Sequence, residues 1–286
     1  MSEISLRRPT IVIEAKPDTI PARLKALWQY RAFYGFLLKE LTLRKARGTM
    51  LGFWWLIIRP IIPAAVLIFV GSSMPALDTG IPYPIFFLSG YIPFLVFQSG
   101  LRYVPRSLRW AQSIMRRTYF PRLLVPLAGF GTTLIELGVM VAAFGILLAI
   151  GAWRGQPFPL ELGWQTLWLL PCLLTAFLLA LSVGMTFSVV ALFFPDVIFS
   201  LRIFSMLAML ATPVMYPVRF VPEPYLWALY TFNPMAQVVL TSRWALTGQG
   251  VFELPYLLLS FGTTLVMLMA AVWFFLRAET HLGDQM

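Results

Sequence analysis

Long apolar stretches alternate with short polar or basic segments through most of the chain. Six runs between charged residues are apolar enough to be candidate membrane spans, and they occupy residues 60–77, 79–101, 123–153, 162–195, 203–218 and 254–276. A spanning helix needs about 20 apolar residues to cross roughly 30 Å of hydrocarbon. The first run can be extended by residues 53–58 past Arg59, and the fifth is short unless Arg202 reaches back to the polar interface. The pattern therefore predicts an all-α membrane protein with six transmembrane helices in a single domain at 53–276.

A different pattern precedes the first span. Within residues 22–50, apolar side chains from Leu24 to Leu41 recur at three- and four-residue steps, and basic side chains fall mostly between them. This is typical of an amphipathic helix with a basic face that lies in the membrane interface. We therefore expect an interface helix at 22–50, preceded by a mobile cytosolic tail at 1–21.

Composition and charge placement indicate that lipid surrounds the apolar runs. Of 286 residues, 59% are hydrophobic and 12% are charged, whereas soluble domains contain about 25% charged residues. The net charge of +10 comes largely from two blocks beside apolar runs, because ten of the 22 Lys and Arg precede residue 53 and six lie between Arg102 and Arg122. This placement follows the positive-inside rule rather than indicating nucleic acid as a partner. We expect a multi-pass inner-membrane protein with both termini in the cytosol, a cytosolic tail at 277–286, and contacts between the basic blocks and anionic membrane lipid.

Two connecting segments have helical patterns of their own. In residues 108–118, apolar positions such as Leu108 and Ala111 have helical spacing and arginines supply a polar side, which predicts a short cytosolic helix. The outer segment at 217–245 is too apolar for a solvated loop, yet prolines interrupt it. It predicts one or two short helices that re-enter the outer leaflet, where protein or a water-filled cavity must surround broken backbone.

The chain lacks the sequence patterns of common enzymes. There is no phosphate-binding GxxxxGK[ST] loop, and a single Cys172 and a single His281 cannot supply a cysteine–histidine metal site. We therefore expect no catalytic residue, metal or cofactor in this chain. Glu136 is the one ionisable residue deep within a predicted span, which suggests a proton relay or a substrate contact. The alternative is a structural partner for Arg59, Arg202 or a neighbouring hydroxyl such as that of Thr132 or Thr133.

Five segments together identify a family resemblance. They are 44–55 (RKARGTMLGFWW) with 58–60 (IRP), 83–84 (YP) with 90–94 (GYIPF), 119–126 (YFPRLLVP), 212–217 (TPVMYP), and 232–234 (FNP) followed by Arg243. In this order they resemble the ABC-2 type permeases that export polysaccharides such as O-antigen, capsule and teichoic acid. One departure is the turn after the fourth span, where Pro195 and Asp196 stand in place of the family's Arg-Asp. Asp196 is expected to cap the next helix.

The resemblance implies a transport subunit rather than an enzyme. Its implied role is to move a lipid-linked polysaccharide, O-antigen-like or capsule-like, across the bacterial inner membrane. It implies a homodimer of permeases with two copies of a separate ATP-binding cassette subunit, on which ATP and Mg²⁺ bind. By the same resemblance, residues 108–118 form the coupling helix that docks on the ATPase, residues 22–50 form the interface helix, and residues 217–245 form outer gate helices.

Three sets of candidate site residues follow. Coupling to the ATPase is expected of Leu108, Arg109, Gln112, Met115, Arg116 and Arg117. Guidance of the lipid diphosphate is expected of Arg44, Lys45, Arg47 and Arg59, whose alternative role is to set topology. Weak stacking on sugars along the path is expected of Phe204, Tyr216, Phe220, Tyr225, Trp227 and Tyr230, whose alternative roles are helix packing and the interfacial aromatic belt.

Two other functions stay open at this point. One is an ABC-2 permease for a drug or another lipid. The other is a membrane-embedded polyprenyl-phosphate sugar transferase, which needs carboxylates at the membrane surface, often with a metal. Asp78, Asp196 and Glu253 are solitary and fall on differing faces, which disfavours that enzyme.

Overall fold

The computed structural model describes residues 28–46, 50–74, 77–118, 120–155, 158–161 and 163–282, and these residues form nine α-helices and no strand. The helices are α1 (Arg31–Ala46), α2 (Trp55–Ser72), α3 (Tyr83–Met115), α4 (Leu124–Trp153), α5 (Leu169–Phe193), α6 (Val197–Ala211), α7 (Glu223–Phe232), α8 (Pro234–Thr247) and α9 (Leu254–Leu282). Short 3-10 turns at Gly52–Trp54, Trp164–Trp168 and Val218–Phe220 precede α2, α5 and α7. The all-α prediction is confirmed for the described residues.

Five helical segments are long and apolar enough to cross a membrane. They are α2, α3, α4, the segment Trp164–Phe193 that includes α5, and the part of α9 from Leu254 to Ala278. The fifth predicted run, 203–218, differs because its helix α6 begins at Val197 and has 15 residues. Such a helix rises about 22 Å, which is short of a hydrocarbon core of roughly 30 Å. It ends where Thr212 becomes extended, because a residue before proline avoids the helical conformation.

Helix α3 is the centre of the bundle and packs against α2, α4, α5, α6 and α8. Its 33 residues rise about 50 Å, which exceeds the thickness of the hydrocarbon core. The sequence predicted a separate helix at 108–118, but residues up to Met115 continue α3 and Pro105 does not interrupt it. The prediction failed because Leu101, Val104, Leu108 and Ala111 form one buried stripe that keeps the helix packed past the proline.

The contact between α3 and α5 depends on small residues. Gly184 of α5 faces Val104 of α3, where an added Cβ would lie 2.6 Å from the Val104 Cβ. Close approach of helix backbones at small residues is the usual way in which membrane helices pack. This approach fixes the position of the second half of α3, which contains all three of its arginines.

One end of the bundle is closed by α1. Leu37 and Leu41 of α1 pack with Leu108, Phe120 and Phe275 in one buried cluster. We call this end the basic end and the other the distal end. At the basic end α9 continues to Leu282, so residues 277–282 are helical instead of forming the start of a tail. The predicted tail at 1–21, the first part of the predicted interface helix and residues 283–286 lie outside the described residues.

The segment predicted to re-enter the membrane contains two helices, α7 and α8, at the distal end. Asn233 joins them: its side-chain oxygen accepts from the Met235 amide at 3.1 Å, and its amide donates to Thr212 Oγ1 at 3.0 Å. Most of α8 is buried, so it is an internal helix of the bundle. A gating role for this segment stays a prediction.

The turn between α5 and α6 differs from the expectation that Asp196 caps the next helix with its side chain. Asp196 directly precedes α6, as expected, but its side chain makes no capping hydrogen bond. Only its backbone carbonyl accepts from the amides of Phe199, at 2.9 Å, and Ser200, at 3.2 Å. Asp196 also contributes to the lining of a cavity at the basic end.

Candidate functional site

A cavity of about 840 Å³ lies between α2, α3 and α6 in the half of the bundle near the basic end. Four arginines line it, namely Arg59 from α2, Arg102 and Arg106 from α3, and Arg202 from α6. Ligand sites in proteins commonly have volumes of about 300–1,000 Å³. The cavity therefore has the size of a ligand site and a strongly cationic lining.

The position of these arginines follows from helical spacing. Gln98, Arg102, Arg106 and Trp110 recur every four residues, and all four line the cavity. Residues four apart on a helix lie one above the other on the same face. Arg59 lies in the first turns of α2, with its guanidinium carbon 5.5 Å from the centre of the Trp55 ring. One face of α3 is thus a polar stripe inside an otherwise apolar bundle.

Glu136 lies fully buried on α4, and its carboxylate contacts side chains of α3 beside the cavity. Its Oε2 lies 3.3 Å from Arg102 Nη1, and the hydroxyls of Ser99 and Tyr103 also donate to the carboxylate. The sequence suggested Arg59, Arg202 or a neighbouring hydroxyl such as that of Thr132 or Thr133 as its partner. Hydroxyls do bind Glu136, but they are those of Ser99 and Tyr103, and the arginine is Arg102 instead of Arg59 or Arg202. The reason is geometric, since the α3–α4 contact turns positions 99, 102 and 103 toward α4.

The remaining cavity arginines have no such partner. In the part of the chain that the structure describes, no carboxylate forms an ion pair with Arg59, Arg106 or Arg202. Arg106 Nη1 donates to the Arg102 carbonyl at 2.7 Å, which fixes its orientation without reducing its charge. With one carboxylate against four guanidinium groups, the cavity keeps a surplus of positive charge.

The cationic lining continues toward the end of α3. A second cavity of about 560 Å³ shares Arg106, Trp110 and Arg202 with the first. It adds Arg109 from α3 and Asp196 from the α5–α6 turn. A negatively charged group could therefore stay close to arginines along the distance from the basic end to Arg102.

The predicted coupling residues do not form one surface. Arg109, Arg116 and Arg117 are exposed, Gln112 and Met115 are half-buried, and Leu108 is fully buried. Leu108 packs in the core cluster at the basic end, so its place in a docking surface is contradicted. The remaining five residues, in the last turns of α3 and at the two positions after it, stay available to a partner.

A groove of about 710 Å³ lies between α1 and the end of α3. Its lining includes Phe33 and Phe36 from α1, and Ile114 and Arg117 from the end of α3. Phe36 is 52% exposed. An apolar floor with an arginine at its rim is the kind of surface that a protein partner can cover.

The set predicted to guide a lipid diphosphate is only partly described. Arg59 lines the large cavity. Arg44 and Lys45 lie in the last turn of α1, with side chains outside the described part, and Arg47 lies outside the described residues. The sequence missed Arg102, Arg106 and Arg202 as members of the same site. Their four-residue spacing on α3 was a signal that could have found two of them.

The six predicted aromatic path residues separate into two groups. Phe204, Phe220, Tyr225 and Trp227 are exposed. Tyr230 is buried with its ring 5.2 Å from that of Tyr256, and the Tyr216 hydroxyl donates to the Leu210 carbonyl at 2.9 Å. None of the six lines the large cavity as the structure describes it. Tyr230 is therefore a packing residue in this conformation.

Arg243 of α8 is a buried cation within the outer segment predicted at 217–245. It is 4% exposed, and its Nη2 donates to the carbonyls of Pro213 and Val214 at 3.0 and 3.2 Å. Its Nε donates to the Phe86 carbonyl at 3.2 Å, and its guanidinium carbon lies 3.6 Å from the centre of the Phe86 ring. Arg243 thus joins α3, α8 and the break after α6 at the distal end.

A surface ion pair lies near this junction. Arg219 Nη2 lies 3.3 Å from Asp78 Oδ2 and also donates to the Asp78 carbonyl. The Gly80 amide bonds Asp78 Oδ1 at 3.3 Å. The hydrogen bond from Gly80, followed by the hydrogen bond and charge of Arg219, lowers the pKa of Asp78 below its ordinary value. The pair joins the α2–α3 loop to the segment before α7.

Comparison with known proteins gives a consistent result. The family model described as "ABC-2 type transporter" matches residues 33–247. The chain is similar to "O-antigen export system permease protein RfbA" of Klebsiella pneumoniae, with 24% identity over 254 residues, which covers 86% of this chain and 91% of that protein. It is also similar to "Polysialic acid transport protein KpsM" of Escherichia coli, with 28% identity over 200 residues, which covers 68% of this chain and 72% of that protein. The match to the family model extends from α1 to the end of α8.

Proposed function

The chain belongs to the ABC-2 type transporter family, and from this premise we propose that it is the membrane permease of an ATP-driven exporter of a lipid-linked polysaccharide. The substrate is O-antigen-like or capsule-like, as in the named relatives. The observation on which this choice of substrate depends is the cavity lined by four arginines. A drug permease would present an apolar cavity, whereas a phosphate-linked carrier lipid needs a cationic one.

ATP hydrolysis belongs to a second protein in this proposal. The exporter contains two copies of this chain as a homodimer and two copies of an ATP-binding cassette subunit, which holds ATP and Mg²⁺. The proposed docking surface consists of Arg109, Gln112, Met115, Arg116 and Arg117 together with the groove beside α1. Its support is the exposure of the three arginines and of Phe36 at the same end of the bundle.

The proposed orientation places the basic end in the cytosol of a bacterium, with both chain termini on that side of the inner membrane. The concentration of arginine at the end of α3 supports it through the positive-inside rule. We propose six crossings in total. The fifth is completed by α6 together with the extended residues after Ala211, and α7 and α8 form the outer gate.

The path of the substrate follows from these assignments. The carrier lipid's diphosphate enters near Arg59 and near the last turn of α1, which contains Arg44 and Lys45. The sugar chain then passes exposed rings such as Phe204 and Trp227, whose faces stack weakly on sugars. The exposure of these two rings, 49% and 59%, supports this arrangement.

The test is deletion of the gene in its own bacterium, followed by measurement of polysaccharide at the cell surface and on the carrier lipid inside the cell. The proposal predicts loss of surface polymer and accumulation of lipid-linked polymer inside. A complementing copy of the chain restores the surface polymer. Unchanged surface polymer contradicts polysaccharide export, and absence of the lipid-linked polymer from the cell indicates a sugar transferase instead.

A further inference from the structure

We propose that the cavity between α2, α3 and α6 is a binding site for a diphosphate head group, and that Glu136 is the positioning residue that turns Arg102 toward it. The proposal rests on the proposed function for the lipid that bears the diphosphate. Its anion chemistry rests on the arrangement of the arginines alone.

The first step is the charge balance of the cavity. Arg102 and Arg106 lie four residues apart on α3, and Arg59 and Arg202 face them from two other helices. Like charges at this spacing destabilise a helix. Among the described residues, Glu136 is the one carboxylate in an ion pair with these arginines, and Asp196 lines the adjoining cavity with Arg106 and Arg202 without such a pair. A multivalent anion would offset the surplus charge, and planar guanidinium groups bind phosphate oxygens in pairs.

The second step is the position of the cavity along the bundle. It lies in the half near the basic end, and its lining also contains apolar side chains of α6 such as Ile198 and Met206. Exposed apolar residues of α6 that are not part of the lining, including Phe204 and Leu207, continue outside it. An amphiphile with a diphosphate head and an apolar tail fits this arrangement better than a free anion does, because the tail can follow α6 into lipid.

The third step concerns the part of Arg102 that faces Glu136. Nη1 of Arg102 lies 3.3 Å from the Glu136 carboxylate, while the side chain is 28% exposed and lines the cavity. A guanidinium group has five N–H donors in a rigid plane, so an ion pair through Nη1 sets the direction of the others. Ser99 and Tyr103 donate to the same carboxylate and hold it in place.

This role has a consequence opposite to that of simple electrostatics. Removal of a carboxylate from a cationic site should strengthen anion binding if charge alone matters. If Glu136 orients Arg102, its replacement releases the guanidinium and weakens binding. Glu136→Gln keeps the shape of the side chain and removes the charge, so the sign of the change in affinity distinguishes the two accounts.

The experiment measures binding by isothermal titration calorimetry with the full chain in zwitterionic nanodiscs. The probes are farnesyl diphosphate, farnesyl monophosphate and inorganic diphosphate. Farnesyl diphosphate is expected to bind most tightly, with a dissociation constant at least about tenfold lower than that of the monophosphate. Equal affinity for inorganic and farnesyl diphosphate would overturn the assignment to a lipid head group, and absence of diphosphate binding would overturn the site.

Two variants test the arginines. Arg202→Gln is expected to weaken diphosphate binding about tenfold, because a charge-assisted hydrogen bond is lost. Arg154→Gln is the matched control, since Arg154 is an exposed arginine after α4 at the distal end, and its affinity should stay within about twofold of wild type. Equal losses in both variants would overturn the site in favour of a general charge effect.

A double-mutant cycle tests the role of Glu136. Glu136→Gln should weaken binding about fivefold in the wild-type chain and have no further effect in the Arg102→Gln chain, because it acts through Arg102. The two variants together remove a buried ion pair as a unit, so the double variant is expected to fold even if Glu136→Gln alone does not. Tighter binding by Glu136→Gln, or a similar fivefold loss in both backgrounds, would overturn the positioning role.

The outcomes also separate this site from the proposed function. If gene deletion abolishes export but Arg202→Gln binds diphosphate as wild type does, the site is wrong and the function stands. If diphosphate binds with the expected pattern but deletion leaves surface polysaccharide unchanged, the function is wrong and the site stands.

Discussion

Arginines at the two ends of this bundle have opposite surroundings. At the distal end, Arg243 is buried, and three backbone carbonyls and the ring of Phe86 occupy its guanidinium group. Near the basic end, Arg59, Arg106 and Arg202 face a cavity of about 840 Å³ and form no ion pair within the described residues. Buried polar groups in folded proteins are normally hydrogen-bonded. Arg243 is therefore complete within the fold, whereas the cavity arginines are arranged for a group that comes from outside.

The surroundings of these arginines distinguish a structural role from a proposed binding role, and this distinction does not use sequence similarity. The distal arginine holds helices together, so its loss should reduce stability. The cavity arginines bind a substrate in our proposal, so their loss should reduce export while stability is retained. The predictions below test that separation, from the largest expected effect to the smallest.

The largest effect is expected for Arg243→Met. The variant removes the Arg243 donor from the carbonyls of Pro213 and Val214, and it removes one of the donors to the Phe86 carbonyl, which Ser89 Oγ still bonds. The loss costs at least about 2 kcal/mol. Thermal unfolding of the purified chain in detergent measures the loss. Arg219→Met is the matched control because that side chain is 56% exposed, and its cost should stay within about 0.5 kcal/mol. Equal stability of the two variants would remove the structural role of Arg243.

The next effect is expected for Arg202→Gln in cells that lack the wild-type gene. Arg202 is exposed to the cavity on α6, so its stability should change by less than about 0.5 kcal/mol. Surface polysaccharide is expected to fall about tenfold, in proportion to the loss of one charge-assisted contact. Export at the wild-type level, with normal amounts of protein in the membrane, would contradict the proposed binding role of the cavity arginines.

A smaller effect is expected for reversal of two charges outside both sites. Arg116→Glu with Arg117→Glu should weaken binding of the ATP-binding cassette subunit about fivefold, because both side chains are exposed at the end of α3. Co-purification of the two subunits at several salt concentrations measures this. Arg154→Glu at the distal end is the control and should leave co-purification unchanged. If both variants retain the partner equally, the end of α3 is not the docking surface.

The smallest effect is expected at the ion pair between Asp78 and Arg219, because both side chains are exposed. Neighbouring donors lower the pKa of Asp78, so the contact stabilises the loop above the unfolded-state pKa of about 4. This contribution is lost as the pH falls through the lower folded-state pKa. Hydrogen exchange at the Gly80 amide, corrected for its intrinsic pH dependence, should differ between wild type and Asp78→Asn at pH 7 and coincide once the pH is below the folded-state pKa of Asp78. A difference that persists in acid would contradict the role of the carboxylate.

The sequence predicted the helical class and five of the spans because apolar run length is a local property. It failed where contacts between helices decide the outcome. The pairing of Glu136 with Arg102 depends on how α3 faces α4, and no spacing within either helix reveals that direction. The continuation of α3 past Pro105 depends on the packing of Leu108 against α1 and α9.

The same reason explains the two arginine sites. The four-residue spacing of Arg102 and Arg106 was visible in the sequence, but Arg59 and Arg202 join them only because α2 and α6 pack beside α3. Arg243 was predicted only as part of an outer segment, and its structural role depends on the burial of α8. At both arginine sites the sequence shows the residue type, whereas the contacts of each arginine depend on how the helices pack.

The most direct test of polysaccharide export uses inside-out membrane vesicles from the native bacterium. The vesicles contain the chain with its ATP-binding partner and the lipid-linked polymer, which initially faces the outside of the vesicle. The account predicts that added ATP moves the polymer into the lumen, where an added glycosidase cannot cleave it, and that vesicles without this chain show no such protection. Equal ATP-dependent protection in vesicles that lack the chain would contradict the account.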